Sequence, residues 1–493
     1  MTISFDSIPT TIRVPFTAVE FNSSRAQQGP ALLAYKGLII GQKLASGTWA
    51  ADSVQRATNV DQAIVGGGRG SMIHQQALAW FAVNRSTELW FGVLADNGAG
   101  VAAAGTIVVT GPATAAGTIA LYVGGQRITT AVASGDISTA IATNIAASVN
   151  ANSDLIVTAA AVGSTITFTY RHKGLVGNAY DLRVNYRDGE ALPAGVSFVI
   201  TAVGTATAGT TNPTLTNLIA AMGDMWFQVW SHPYTDATSL TAIETDLSSR
   251  FGPLRSMDGI AITSAIGSFA TLSALGLTRN SQHSVILAQP GATPLTPPVE
   301  FAAEAAALIA FYGAADPARP FQTLAMSRAL PVVETDQWSI DERNLLLYAG
   351  IATTKRVAGG VTQLERIITT YRTSPSGALD TSYLDATTML TLLYLRYSFR
   401  VRVQNRYPRH KLADDGTRFG SGQAVMTPKL GKAEAVTWFR EMEELGLVEG
   451  FDQFKRDLVC ERNATDPNRL DWLLPPDLIN QLIVTAAQIQ FRL

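Results

Sequence analysis

The chain has 493 residues, enough for two to four domains each with a substantial core, and 47% of its residues are hydrophobic while only 15% are charged. That charged share is well below the roughly one quarter usual in globular proteins, which suits faces that become buried in an assembly, or large cores. A formal net charge of −2 argues against a general coat for nucleic acid or membrane surface, and a single cysteine, Cys460, excludes an intrachain disulfide or a cysteine-based zinc site.

The opening residues Met1-Thr2-Ile3-Ser4-Phe5-Asp6 lack the basic-then-apolar plan of a signal peptide. No uninterrupted apolar run reaches the roughly 18–20 residues of a membrane-spanning helix, so a soluble chain made and kept in a cytoplasm is expected. Ile12, Val14 and Phe16 then alternate with Arg13, Pro15 and Thr17, the period of a half-buried strand. Pro15 can donate no ladder hydrogen bond, which places that strand at a sheet edge. Strands are expected over 37–40 and 88–94, with a helix over 71–84 between them.

Composition changes near residue 97. From 98 to 170 only Arg127, Asp136 and Asp154 are charged, and residues 98–212 read as an inserted β-rich domain with one helix. Its strands are expected at 106–110, 119–123, 155–158, 165–170, 182–186 and 196–203, and its helix begins at an Asp136 cap with Ile137, Ile141, Ile145 and Val149 on one stripe. The flanks, 22–97 and 213–343, read as one interrupted α/β core: strands at 226–230, 259–263 and 284–288 alternate with helices at 239–251, 268–275 and 299–312. Such alternation predicts a mostly parallel sheet covered on both faces. A third region, 344–476, contains a helix-compatible apolar stretch, 383–399, and an amphipathic helix over 432–445. That second helix carries Val436, Phe439, Met442 and Leu445 on its apolar stripe and is stopped by Gly446. The last residues, Gln488-Ile489-Gln490-Phe491-Arg492-Leu493, again alternate, with Ile489, Phe491 and Leu493 on one face. Strand-like arms at both ends, 1–21 and 477–493, either close the chain's own sheet or lend strands to neighbours.

Three features invite a chemical reading. Gly66-Gly67-Gly68-Arg69-Gly70-Ser71 opens a helix, where free amides attract phosphate, but no Lys-Ser/Thr pair follows and Glu88 precedes a strand instead of ending one. A tight turn capped by Ser71 is the better account. Gly70-Ser71-Met72 also resembles a serine nucleophile segment, yet His74 lies one turn along the same helix, and His172, His232, His283 and His410 sit in unrelated contexts. The stretch 396–411 holds six Arg or Lys and no acid, interleaved with aromatics. It suits a solvated face, an acidic protein partner or nucleic acid, and the near-neutral total favours the first two. No catalytic residue, cofactor site or metal site is assigned.

In chain order, several segments resemble the tail sheath proteins of contractile bacteriophages, in the Mu-like branch. They are Ile8-Pro9, Val14-Pro15-Phe16 and Glu20-Phe21; Gly68-Arg69-Gly70-Ser71-Met72; His232-Pro233-Tyr234-Thr235-Asp236; Arg250-Phe251-Gly252-Pro253; and Arg279-Asn280-Ser281. The densest similarity follows in Met426-Thr427-Pro428, Glu443-Glu444-Leu445-Gly446-Leu447-Val448-Glu449, Asp466-Pro467-Asn468-Arg469-Leu470-Asp471, Pro475-Pro476-Asp477-Leu478 and the final alternating run. The resemblance spans nearly everything outside 98–212. It implies a subtilisin-like α/β core that is not a protease, arms that add strands to adjacent subunits, an outward-facing insertion and a tube-facing region over 344–476. It also implies a non-enzymatic virion component, assembled in the host cytoplasm, that polymerises helically with itself around a tail tube protein. Baseplate and tail terminator proteins would be further partners, with no direct nucleic-acid or membrane contact. Ile12, Val14, Phe16, Ile489, Phe491 and Leu493 would form the inter-subunit strands, and Arg400, Arg402, Arg406 and Arg409 would touch the tube. The sheath of a phage-tail-like bacteriocin or secretion machine shares the same physics. A cytoplasmic α/β hydrolase or nucleotide-binding enzyme is the alternative from another class.

Overall fold

The computed structural model describes residues 33–420 and 422–492, together with Val14, Thr17 and Val19. The described chain forms two compact units, one built from Ala34–Arg396 with Leu445–Gly450 and the residues from Pro476 onward, the other from Tyr397–Glu444 with Phe451–Pro475.

The larger unit is mixed α/β. Its main sheet has six strands in the order Ser284–Ala288, Ile260–Ala265, Val229–Ser231, Lys36–Gln42, Glu88–Leu94 and Ser53–Ala57, parallel except for the last pair. Both faces are covered, as near-continuous apolar strands require. Leu38 and Ile40 share a core with Leu218, Met222, Ile243 and Leu247, from the helices Thr216–Met222 and Ala237–Phe251. On the other face Gly37 and Gly41 leave room for Trp80 and Gln76 of the helix Met72–Val83, because a Cβ at either glycine would overlap those side chains. The helix Pro298–Ala315 packs against Met72–Val83 and the central strands. By length and composition it could cross a membrane, but 78% of it is buried inside the protein. Its two carboxylates are held in place: Glu300 pairs with Arg328, and Glu304 accepts from Ser327 and the Arg328 amide. Burial pushes both carboxyls up.

The inserted segment has two sheets around one core. Ser197–Thr201, Ala102–Thr110, Thr165–Lys173 and Val157–Val162 form an antiparallel four-stranded sheet, and Gln126–Val132, Gly117–Val123 and Leu182–Val184 a three-stranded one. The helix Ser138–Ala151 packs on strands of both and buries Ile141, Ile145 and Val149, as its spacing predicts. Asp136 does not cap it, however. Ile137 occupies the cap position and is exposed, while the Asp136 carboxylate accepts the Ala133 amide within the preceding turn. The strand Gln126–Val132 and the elements Ser53–Ala57, Val60–Gly67 and Thr216–Met222 have no counterpart among the sequence expectations.

The helix Ala386–Arg406 extends beyond the expected 383–399 and takes in most of the basic stretch. In the smaller unit, the helix Pro428–Glu444 buries Ala435, Trp438, Phe439 and Met442, so its buried stripe lies to one side of the expected one and leaves Leu445 exposed. Phe439 stacks on Phe454 at 4.2 Å between centroids, and the Trp438 indole donates to Ser398. Gly446 takes φ 69°, the left-handed conformation that ends a helix and suits glycine.

Candidate functional site

In open parallel sheets, ligands bind beyond the carboxyl ends of the strands where the strand order reverses. Here that point lies between Lys36–Gln42 and Val229–Ser231, because the sheet grows one way to Glu88–Leu94 and the other way to Ile260–Ala265. On its Lys36–Gln42 side, the chain itself occupies this position. Gln42 Nε2 donates to Asp96 Oδ1 at 2.7 Å and to the Lys173 carbonyl at 2.8 Å. His172, from the insertion, accepts the Met72 amide on Nε2 at 2.9 Å. Its proton therefore sits on Nδ1 and is donated to Asp96 Oδ1 at 2.9 Å. Burial would raise the Asp96 carboxyl, but the bonds from His172, the Lys173 amide and Gln42 outweigh it and hold the carboxyl below its ordinary value.

The Met72, His74 and Gln75 amides at the start of the Met72–Val83 helix are taken by protein groups. Ser71 is fully buried and its Oγ accepts the His74 amide at 3.0 Å, the N-cap role read from the sequence. His74 Nδ1 accepts the Gly70 amide, and burial keeps its pKa below the ordinary value. A histidine–aspartate pair thus stands near Ser71, bringing together residues far apart in the chain. Yet the nitrogen a nucleophilic serine would need is engaged by a backbone amide. The glycine run is likewise a packing device. Gly66 and Gly67 end the helix Val60–Gly67, Gly68 turns with φ 93°, and a Cβ on Gly66 would overlap the Trp49 indole.

His172, expected in a context unrelated to Ser71, is thus brought by the fold to the neighbouring Met72 amide, while His232, His283 and His410 have surroundings of their own. Burial pushes His232 and His283 down to about 4, and His283 Nδ1 lies 3.0 Å from the Gly259 carbonyl. His410 packs edge-on against Tyr407.

The basic stretch divides by helical phase. Arg396 bonds to the Phe251 carbonyl and to Asp258, at 2.6 Å each. Arg402 is buried, its Nε on Glu434 and its Nη1 on Glu441 at 2.5 Å. Arg406 Nη1 shares Glu434 at 2.9 Å, and the Tyr407 hydroxyl donates to the same carboxylate at 2.6 Å. Burial would raise Glu434, but the bonds from Tyr407 and Arg402 and the charges of Arg402 and Arg406 hold it below its ordinary value. Arg402 is therefore an internal link between two helices. Arg400 is half-buried, and Arg409 is exposed. This network was legible in part: Arg402 and Arg406 are one helical turn apart, as are Glu434 and Glu441 two turns apart, so each pair shares a helix face.

Of the arm residues, Val14 is exposed, while Ile12, Phe16 and Leu493 lie outside the described residues. Beyond Asp477–Leu478, which pairs with Val448–Glu449, the described chain to residue 492 has no helix or strand. Gln481 Nε2 reaches the Thr387 hydroxyl, and further on Ile489 is 88% and Phe491 79% exposed.

Residues 208–370 match the family model for the phage tail sheath protein central domain, and residues 379–492 that for the phage tail sheath C-terminal domain. The Mu-like prophage FluMu tail sheath protein of Haemophilus influenzae is 40% identical over 493 residues, covering 100% of each chain. Among solved structures, a sheath tail protein from Desulfitobacterium hafniense is 12% identical with a TM-score of 0.48, over 94% of this chain and 100% of that one. The PVC sheath of an extracellular contractile injection system, in the contracted state, is 7% identical with a TM-score of 0.49, over 98% of both chains.

Proposed function

The chain belongs to the phage tail sheath family, in its Mu-like branch, and on that premise we propose that it polymerises helically around a tail tube by strand exchange and contracts by rigid-body rearrangement. The observation that carries this reading is the terminal segment, where Ile489 and Phe491 alternate with polar residues and stand exposed on a stretch with no element of its own. An alternating apolar strand without a sheet is suited to pair with another chain's edge. Because donor and acceptor surfaces differ, such a contact is heterologous and propagates.

In this reading 1–21 and 477–493 are the exchanging arms, and 22–97 with 213–343 form a subtilisin-like, non-catalytic core. The insertion, 98–212, faces outward, and 344–476 faces the tube. Arg409, with Arg400 and Arg406, contributes charge toward the tube, and Arg402 is withdrawn from that surface because its guanidinium joins Glu434 to Glu441. Contraction draws on better subunit contacts in a shorter, wider lattice, with the arms keeping neighbours linked. No catalytic step enters. Assembly takes place in the host cytoplasm, nucleated by a baseplate and closed by a terminator, and contraction drives the tube through the host envelope for genome delivery.

The test is negative-stain electron microscopy of the chain co-produced with a cognate tail tube protein. Regular sheathed tubes are expected. Bare tubes beside discrete particles of this chain would overturn the reading.

A further inference from the structure

Among the described residues, the Val229–Ser231 side of the switch point is left open. A pocket of about 270 Å³ lies there, with Pro233 just past Val229–Ser231 and Ser264 near the end of Ile260–Ala265 in its lining. The insertion contributes Leu175, and the helix Phe269–Leu277 contributes Thr271 and Leu272. Leu272 is 1% exposed and Leu175 42%, so the pocket runs from a closed floor to an open rim. Its volume falls just short of the usual range for small-ligand sites. Ser264 is 2% exposed, and its Oγ has no hydrogen-bond partner among the described residues. A buried hydroxyl left in this state costs free energy that a bound polar group would recover.

We infer that this pocket binds a small, uncharged, mainly apolar molecule carrying one hydroxyl or carbonyl, which bonds to Ser264. No lining residue is charged, so an ion would leave water without finding a counter-charge. Two helices begin at the pocket, a setting that attracts anions, but neither start is free. Ser268 Oγ accepts the Thr271 amide at 3.2 Å, and the Ser268 carbonyl accepts the Leu272 amide at 3.0 Å. Pro298, which opens the helix Pro298–Ala315 and also lines the pocket, has no amide hydrogen to give. A lone water fits poorly, since it needs roughly two to four polar partners and most of the lining is apolar. A molecule of about ten non-hydrogen atoms matches the volume. Because insertion and core both line the site, an occupant joins them, as the Gln42–Asp96–His172 bonds do on the other side of the switch point. Such binding requires no assembly.

The experiment titrates the full-length chain with 1-adamantanol, a rigid alcohol of this size, by saturation-transfer proton NMR. Saturable binding is expected, with 1-adamantanecarboxylate and 1-adamantylammonium at least about tenfold weaker. Ser264→Ala should weaken the alcohol about three- to tenfold. It should not lower the thermal midpoint of the unliganded chain, because Oγ has no bond to lose. Leu175→Asp, at the open rim, should weaken the alcohol and tighten 1-adamantylammonium, a reversal that a folding defect cannot produce. Saturable binding of the alcohol unchanged by both substitutions would place it elsewhere and overturn the site. Either ion binding the unaltered chain as tightly as the alcohol would overturn the ligand class, and absence of saturable alcohol binding would overturn both.

Discussion

Replacing Arg402 by alanine is the substitution whose consequence the structure defines best. Arg402 is buried and bonded to two carboxylates of the helix Pro428–Glu444, Glu434 and Glu441. Its removal leaves Glu434 buried with only Arg406 and Tyr407 as partners, and Glu441 with none of its Arg402 bond. Breaking one side of a buried ion pair costs about 3–5 kcal/mol, because the remaining charge stays out of water. Arg406 offsets part of this, so the lower end, about 3 kcal/mol, is expected, a change of about 150-fold in the opening equilibrium. Hydrogen exchange of peptides from 428–444 reads that opening locally. Arg409→Ala, at an exposed site, should leave the same peptides unchanged. The network also sets a pH dependence. Glu434 is held below its ordinary pKa, so its contribution is present above the unfolded value of about 4.3 and is lost as pH falls through the lower folded value. Arg402→Ala should flatten that loss. A variant whose 428–444 peptides exchange as slowly as the parent would refute Arg402 as an internal link and return it to the tube surface.

His172→Ala removes the acceptor of the buried Met72 amide and the donor to the partly buried Asp96, and should destabilise the larger unit by about 1–3 kcal/mol in denaturant unfolding. A loss under about 0.5 kcal/mol would mean the insertion is not clamped there. Gly66→Ala drives a methyl into the Trp49 ring and should cost about 1–3 kcal/mol, while Gly98→Ala, with nothing within 4 Å, should be near neutral. Equal thermal midpoints for those two variants would remove the packing account of the glycine run. Deleting 488–493 should abolish polymer while leaving a folded chain by circular dichroism, since its described residues, 488–492, form no helix or strand within their own copy. Normal polymer from that deletion would remove strand donation by this arm.

The strands of the main sheet were legible because buried parallel strands are short β-branched runs, as at Ile260–Ala265 and Ser284–Ala288. The helix cap Ser71 was local chemistry and stands at the start of the expected helix, whereas the cap Asp236 lies three residues before the expected start at 239. Asp136 failed as a cap because a second backbone donor, Ala133, lies within the same turn, and spacing alone does not choose between them. The basic stretch was read as a linear run, but a helix turns each successive residue by about 100°, which sends Arg402 inward and leaves Arg409 beyond the helix end. The closure beyond the carboxyl end of the strand Lys36–Gln42 was invisible for another reason. It joins Met72 to His172, 100 positions apart, and no local pattern marks a contact made through the fold.

The most direct test of the account is a helical reconstruction by cryo-electron microscopy of tubes formed by the full-length chain, at a resolution that traces the chain ends. The account predicts that residues 488–492 leave their own subunit and run extended along a neighbour. Ends folded back onto their own subunits, with neighbours joined by other surfaces, would contradict it.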